Sequence, residues 1–424
     1  MSAATHPAPL HTTCCIVGGG PAGMVLGLLL ARAGIDVTVL EKHADFFRDF
    51  RGDTIHPATL EILHELGLLD AFLQVPHEKI VSMGLVIGDR TYPLVDLSQV
   101  PTTAKFIALM PQWDFLDFLA AQARHYPNFH LYMEHEVTGL LHENGKAGSR
   151  TIGVTAQTPS GPIAVHAPLT VGCDGRHATT TAAAHFDIIE QGVPIDVLWF
   201  RVSRLPTDPE NALGYFNFGT ACVLIDRQTY WQIAFLIRKG SFADIQAAGL
   251  DALRQRLARL VPFLTAPGPD GQSRIDEITD FAQLKLLTVQ INHLLRWHAP
   301  GLLCIGDAAH AMSPVGGIGI NIAIQDAVAA ANILAKPLSV ATMSRPVPQG
   351  TLAAVQGHRA FAVRLTQFFQ AQAHRILIRA LNNPGPFHAP AILRFLSNSP
   401  TLRRFVGRAI GLGVQPEHVH TPKA

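Results

Sequence analysis

Two glycine-rich segments carry the residue types best suited to chemistry in this chain. Gly18-Gly19-Gly20-Pro21-Ala22-Gly23 lies near the start, and Gly306-Asp307-Ala308-Ala309-His310 comes much later. The later segment runs on through Met312-Ser313-Pro314-Val315-Gly316-Gly317-Ile318-Gly319-Ile320-Asn321 into an alanine-rich stretch. The early pattern suits a phosphate. Gly18 permits a tight turn, Gly20 lets the backbone approach a pyrophosphate, and Gly23 allows a helix to pack closely on a strand. Free N–H groups of a helix opening at Pro21 and Ala22 attract the anion, together with the helix dipole. Glu41, 18 residues after Gly23, can accept hydrogen bonds from an adenosine ribose and disfavours a 2′-phosphate. Lys42 and Arg48 are candidate contacts to the same ligand, with plain surface charge as the alternative.

The late segment offers different chemistry. Asp307 stands at the end of an apolar run, Leu302-Leu303-Cys304-Ile305, where a carboxylate can accept hydrogen bonds from ribityl hydroxyls. Gly317, Gly319, Ile320 and Asn321 then open a helix and bring backbone N–H groups close to a ligand. Aimed at the N1–C2=O edge of a flavin, those groups and the helix dipole would stabilise the anion formed on reduction. One Gly-x-Gly-x-x-Gly could serve NAD, FAD or only a tight turn. Both segments together point to a long ligand gripped at two separated places, and FAD, bound without a covalent link, fits best.

These residues need particular elements to hold them. Thr12–Val17 reads as a buried strand, Pro21–Ala33 as a helix stopped by Gly34, and Ile35–Leu40 as a second strand ending at Glu41. That strand–turn–helix–strand order is the context the phosphate motif requires. From Ile318 to about Leu334 the pattern is apolar around most of a helix, which predicts burial. Pro337–Pro348 reads as a loop.

The composition narrows the class further. Of 424 residues, 48% are hydrophobic and 15% charged, which implies a large buried interior. The net charge of +1 gives no reason to expect nucleic acid. The charge is uneven, however: from Thr351 to Ala424 there are nine Lys/Arg and one acid, Glu417, leaving the rest at about −7. The C-terminal arginines are therefore expected to meet acids on the body of the protein, with anionic membrane as the less favoured partner. Five cysteines without a Cys-x-x-Cys pair, and no metal-ligand spacing among 21 histidines, predict a reduced cytoplasmic protein with no metal. No secretory signal is evident.

The chain resembles the group A FAD-dependent monooxygenases, the para-hydroxybenzoate hydroxylase fold, through both glycine segments and up to about residue 335. Arg51-Gly52-Asp53-Thr54-Ile55-His56-Pro57-Ala58-Thr59-Leu60-Glu61 is similar to the family's arginine-led segment beside the flavin. Pro111-Gln112-Trp113 resembles the position whose Gln or Arg contacts the flavin side of FAD. Val137, read as ending a strand before Gly139, resembles the residue whose backbone meets adenine. Cys173-Asp174-Gly175 resembles the Asp-Gly motif near the pyrophosphate, but Arg176-His177-Ala178-Thr179-Thr180-Thr181 departs from the family's continuation. The resemblance implies that NAD(P)H reduces FAD and that O₂ adds at C4a. The resulting C4a-hydroperoxyflavin would hydroxylate an aromatic, polyketide or quinone-like substrate. It assigns no acid–base side chain, so no catalytic residue is named, and it places the backbone of Pro314–Gly317 beside the oxygen site.

The expected architecture is α/β: a Rossmann-type FAD-binding domain (1–80, 103–185 and 286–350) interleaved with an antiparallel substrate sheet (81–102 and 186–285), then a helical region (351–424). Val81–Leu97 reads as a hairpin turning at Gly88-Asp89. Ile195–Arg204, Leu213–Asp226 and Tyr230–Arg238 read as further strands. Among their aromatics, Tyr215 and Trp231 are chosen as lining a small-molecule cavity. His56 is expected to be an ordinary hydrogen-bonded histidine with substrate contact as the alternative, and His310 to be structural. Two other functions stay open: a flavin-dependent reductase or dehydrogenase of an isoprenoid, and a flavin-fold binding protein without turnover. Oligomeric state is not legible.

Overall fold

Strand Cys14–Val17 is buried along its whole length, because it lies in the middle of a sheet covered on both faces. In the computed structural model, which describes residues 8–47, 54–145, 148–209, 213–268 and 271–424, that sheet has six strands. Their order is His298–Ala299, Leu302–Cys304, Leu169–Gly172, Cys14–Val17, Val37–Leu40, Phe129–Tyr132, parallel except for the first pair. The alternation of side chains along each strand divides the core. Cys14, Ile16, Val37 and Val39 pack against helices Pro21–Arg32, Gln112–Ala123 and Gly319–Leu338. Cys15, Val17 and Leu40 face the other way, onto Val137, Val154, Ala156 and Val165 of an antiparallel sheet. The result is three layers with the glycine turn at one end.

The predicted first unit is present with shorter strands. The helix is Pro21–Arg32, and Gly34 adopts φ +79° just beyond it. Val137 does not end a strand: it is the second residue of Glu136–Gly145, which passes Gly139 through a register irregularity. Helix Gly319–Leu338 extends past Leu334 and carries Pro337 in its last turn, so the expected loop begins later. It is the one helix among the described residues long and apolar enough to cross a membrane, and it is mostly buried in the core.

The second large sheet has seven strands: Lys285–Leu287, Ile195–Ser203, Tyr230–Arg238, Thr220–Asp226, Leu213–Asn217, Ser82–Ile87 and Arg90–Asp96. One pair, Leu213–Asn217 with Ser82–Ile87, is parallel; the rest are antiparallel. The stretch read as one strand from Leu213 to Asp226 is a hairpin. Phe218 (φ +49°) and Gly219 (φ +66°) make its two-residue turn, the geometry that twists the right way for a tight hairpin. Phenylalanine is rarely found there, which hid the turn.

The C-terminal region forms helices Gln349–Leu381, Ala391–Asn398 and Pro400–Leu412. Leu377, Ile378 and Leu393 pack with Leu85, Tyr92 and Phe216, while Val406 and Ile410 pack with Met83 and Val95. The helices thus lie on one side of the seven-stranded sheet. Helices Phe242–Ala248 and Leu250–Leu260 cover the other side. The expected pairing of arginines with acids holds for Arg359, fully buried against Asp326 and Glu417, and for Arg404 against Asp96. The other arginines of this region form no ion pair with a carboxylate among the described residues.

Candidate cofactor and active site

The early loop is built around backbone. Gly18 has φ +101°, and a Cβ there would lie 2.5 Å from the Cys173 carbonyl oxygen; one on Gly23 would lie 2.0 Å from that of Gly18. Gly20 differs, since a Cβ there would meet nothing of the protein within 4 Å. The helix that follows has no side-chain cap and no acid in its first turn, and the N–H groups of Ala22 and Gly23 find no acceptor among the described residues. Such an arrangement suits an anion. Glu41, just past the strand Val37–Leu40, is buried and pins the loop, accepting the Gly19 N–H at 2.9 Å and the His43 N–H at 3.1 Å. Lys42 is exposed.

Gly306 (φ +58°) wedges between the two helix starts, where a Cβ would lie 3.1 Å from the Ala323 Cβ and 3.3 Å from that of Ala22. The early and late motifs, 288 residues apart at Gly18 and Gly306, therefore meet. Gly306 donates its N–H to Asp326 (3.1 Å), whose carboxylate also accepts from His310 Nε2 (2.5 Å) and Arg359 Nε (2.9 Å). Burial pushes the Asp326 carboxyl up, but His310 and the Arg359 guanidinium outweigh it and hold the group below the usual carboxylate range. His310 is structural, as expected. Asp307, next in the chain, is partly exposed and takes Arg176 Nε at 3.3 Å.

The late loop is held from outside. Gly317 (φ +63°) gives its carbonyl to the Thr54 hydroxyl at 2.8 Å. Asn321 spends its whole side chain internally. Nδ2 donates to the Thr54 and Gly317 carbonyls, and Oδ1 accepts from the His56 N–H and the Thr59 hydroxyl. Its own backbone N–H goes to Ile318. The expected cofactor role of Asn321 is thus corrected to positioning. The N–H groups of Gly319 and Ile320 find no acceptor among the described residues. Two helix starts with unpartnered amides, joined by a carboxylate at Asp307, fit a dinucleotide carrying an anionic ring system at one end.

A family described as FAD binding domain matches residues 11–345. The chain belongs to this family, that of the FAD-dependent monooxygenases. It is 32% identical over 341 residues to the 6-methylpretetramide 4-monooxygenase of Streptomyces rimosus, covering 78% of each chain. It is 28% identical over 324 residues to the 12-dehydrotetracycline 5-monooxygenase/anhydrotetracycline 6-monooxygenase of the same species, 74% of this chain and 60% of that one. Among solved structures, the p-nitrophenol 4-monooxygenase PnpA of Pseudomonas putida aligns with a TM-score of 0.71 at 19% identity, over 95% of each chain. That last likeness establishes the fold.

In this monooxygenase several expected contacts take other roles. Asp174 is half-buried and satisfied by Thr180, whose N–H (3.0 Å) and hydroxyl (2.6 Å) it accepts. Burial raises its pKa although those bonds oppose the shift. It caps the short helix Thr179–Ala183, so the sequence's departure after Gly175 builds a local turn and frees Arg176 for Asp307. His56 gives Nδ1 to the Ile410 carbonyl at 2.9 Å, and burial lowers its pKa to about 4. Gln112 opens helix Gln112–Ala123 beside Trp113, whose ring lies against Phe47 at 4.7 Å between centroids, tilted by 39°. Val137 is buried near the ends of the two central strands. Arg51 and Arg48 lie outside the described residues.

Tyr215 and Trp231 are corrected. Both sit on the sheet face covered by helices 242–260, packed on Phe263, with Trp231 Nε1 donating to Asp208 at 2.8 Å. Arg274, fully buried, locks Asp208 from behind. The late loop lies on the opposite side, where the sequence reading missed a grip entirely. Gln370 of the long C-terminal helix bonds the N–H and carbonyl of Ser313 and the carbonyl of Val315, and His374 Nε2 meets Ser313 Oγ at 2.7 Å. Burial lowers the His374 pKa. One turn on, Leu377 and Ile378 reach the sheet.

Proposed function

We propose that this monooxygenase uses NAD(P)H to reduce FAD and hydroxylates an electron-rich aromatic, polyketide or quinone-like substrate. What supports the reading is the convergence of the two uncapped helix starts on Gly306-Asp307, which suits a long, two-ended cofactor. The Gly18–Gly23 loop, with Glu41, would hold the ADP half, and Asp307 with Arg176 the ribityl region. FAD, when bound, would supply hydride acceptance and O₂ activation, with one oxygen atom going to substrate carbon and the other to water. The protein binds, orients and excludes water. The unpartnered N–H groups of Gly319 and Ile320 would meet the ring edge, with Asn321 holding the loop in place through Thr54 and His56.

Substrate recognition we assign to the sheet of residues 81–102 and 186–285, on the face away from Tyr215 and Trp231. There Trp199, Ala234 and Val223 stand in register across the three middle strands, with Arg201, Gln232 and Ile225 in the next row. An apolar row beside a polar one suits a flat ring bearing oxygens. The named substrates of the relatives, a pretetramide and a tetracycline precursor, are of that kind. Stopped-flow mixing of the holoenzyme with NADH or NADPH tests this. A fused phenolic ligand should accelerate flavin reduction. Reduction unaffected by any such ligand, or a saturated product without added oxygen, would favour the isoprenoid reductase instead.

A further inference from the structure

The three C-terminal helices carry a surface unlike the rest of the molecule. Phe361, Phe368, Phe369, Ile392, Phe395 and Phe405 are each between 55% and 70% exposed, although their helices have ample apolar residues turned inward. On helix Gln349–Leu381, at about 100° per residue, Phe361, Arg364, Phe368, Phe369, Arg375 and Arg379 share one stripe roughly 140° wide. Arg404, Phe405 and Arg408 repeat the pattern on Pro400–Leu412. The inner side of the long helix, Leu352, Val355, Arg359, Val363 and Gln370, packs on the cofactor domain. Only its last turn, at Leu377 and Ile378, reaches the sheet with the two shorter helices, so the stripe lies on the side turned away from both.

The charge these three helices carry has one sign, since they contain arginines and no acid. Arg364, Arg375, Arg379, Arg394 and Arg408 form no ion pair with a described carboxylate. Glu417, the one acid after Thr351, is already taken by Arg359 and His358. We propose that this face docks on an anionic lipid surface, its phenylalanines entering the headgroup boundary and its arginines meeting lipid phosphates. A second copy of the chain fits poorly. A two-fold contact sets the same patch against itself, so arginines would oppose arginines with no acid to separate them.

The test uses the full-length holoenzyme and vesicles of phosphatidylcholine, with and without phosphatidylglycerol. The protein should sediment with the anionic vesicles at low salt, be released at high salt, and ignore the neutral ones. Changing Arg364, Arg375 and Arg379 to Gln should lower partitioning about fivefold per charge. Phe361→Ser with Phe368→Ser should also weaken it, with flavin absorbance and thermal unfolding unchanged. Absence of sedimentation at low salt overturns the proposal, as does binding that is equal on neutral vesicles or insensitive to salt. A dimer that the Phe variant dissolves, without vesicle binding, assigns the face to self-association instead.

Discussion

Gly20→Ala separates what the fold needs from what the cofactor needs. Gly20 has φ −71° and ψ −179°, which alanine adopts freely, and its Cβ would meet no protein atom within 4 Å. Stiffening the unfolded chain contributes about 0.4–1 kcal/mol, while alanine at a helix N-cap loses about 0.5–1 kcal/mol. Stability of the apoprotein should therefore change by less than about 1 kcal/mol. Against a bound pyrophosphate the methyl group stands where the phosphate must approach. Losing one charge-assisted N–H bond costs about 1.5–3 kcal/mol, which raises the Kd for FAD about 10- to 150-fold. Gly18→Ala and Gly23→Ala should behave differently, because their Cβ atoms collide with backbone oxygens at 2.5 and 2.0 Å and destabilise the loop with or without FAD. Thermal unfolding of each apoprotein and FAD titration by flavin fluorescence give both quantities. Wild-type FAD affinity in Gly20→Ala would show that the open side of Gly20 does not face the cofactor.

Other consequences are as direct. Asp307→Ala should weaken FAD binding by about 1–3 kcal/mol, and Arg176→Ala should add less than its own effect in the double variant, since the two side chains touch; full additivity would refute the pairing. Trp231→Phe should cost about 1–3 kcal/mol of stability through the lost bond to Asp208 while leaving kcat/KM unchanged, whereas Trp199→Ala should raise KM; the opposite pattern would restore Trp231 to the cavity. Acid should destabilise the fold first through His56. Its pKa falls from 6.5 to about 4 on burial, so the unfolded chain binds the proton more readily. Stability is then lost as pH drops from about 6.5 toward 4, by up to about 3 kcal/mol, and His56→Gln should flatten that part of the denaturation profile.

What the sequence made legible was whatever geometry forces onto residue type. The glycine loop could be read because Gly18 and Gly23 tolerate no side chain, and Asp307 because it ends a buried strand at a turn. The sheet face was not legible. Strand Tyr230–Arg238 is buried on both sides, so alternation gave no direction, and Trp231 proves to face helices 242–260 while Gln232 and Ala234 point to the other side. The grip of Gln370 and His374 on Ser313 spans 57 and 61 residues and leaves no local pattern. Arg176 looked like a departure from the family motif, and only the fold brings it to Asp307. Asn321 was read as offering its backbone N–H to a ligand, but that N–H goes to the Ile318 carbonyl and its side chain makes four internal bonds, a bonding pattern no local signal shows.

The central claim is oxygen transfer by bound FAD, and isotopic labelling tests it most directly. Holoenzyme, NAD(P)H and a fused phenolic substrate are incubated under ¹⁸O₂, and the product is weighed by mass spectrometry. The account predicts one labelled oxygen atom per product molecule and one NAD(P)H consumed for each. A product that carries oxygen from water, or NAD(P)H oxidised with no oxygen gained by any such substrate, would contradict it.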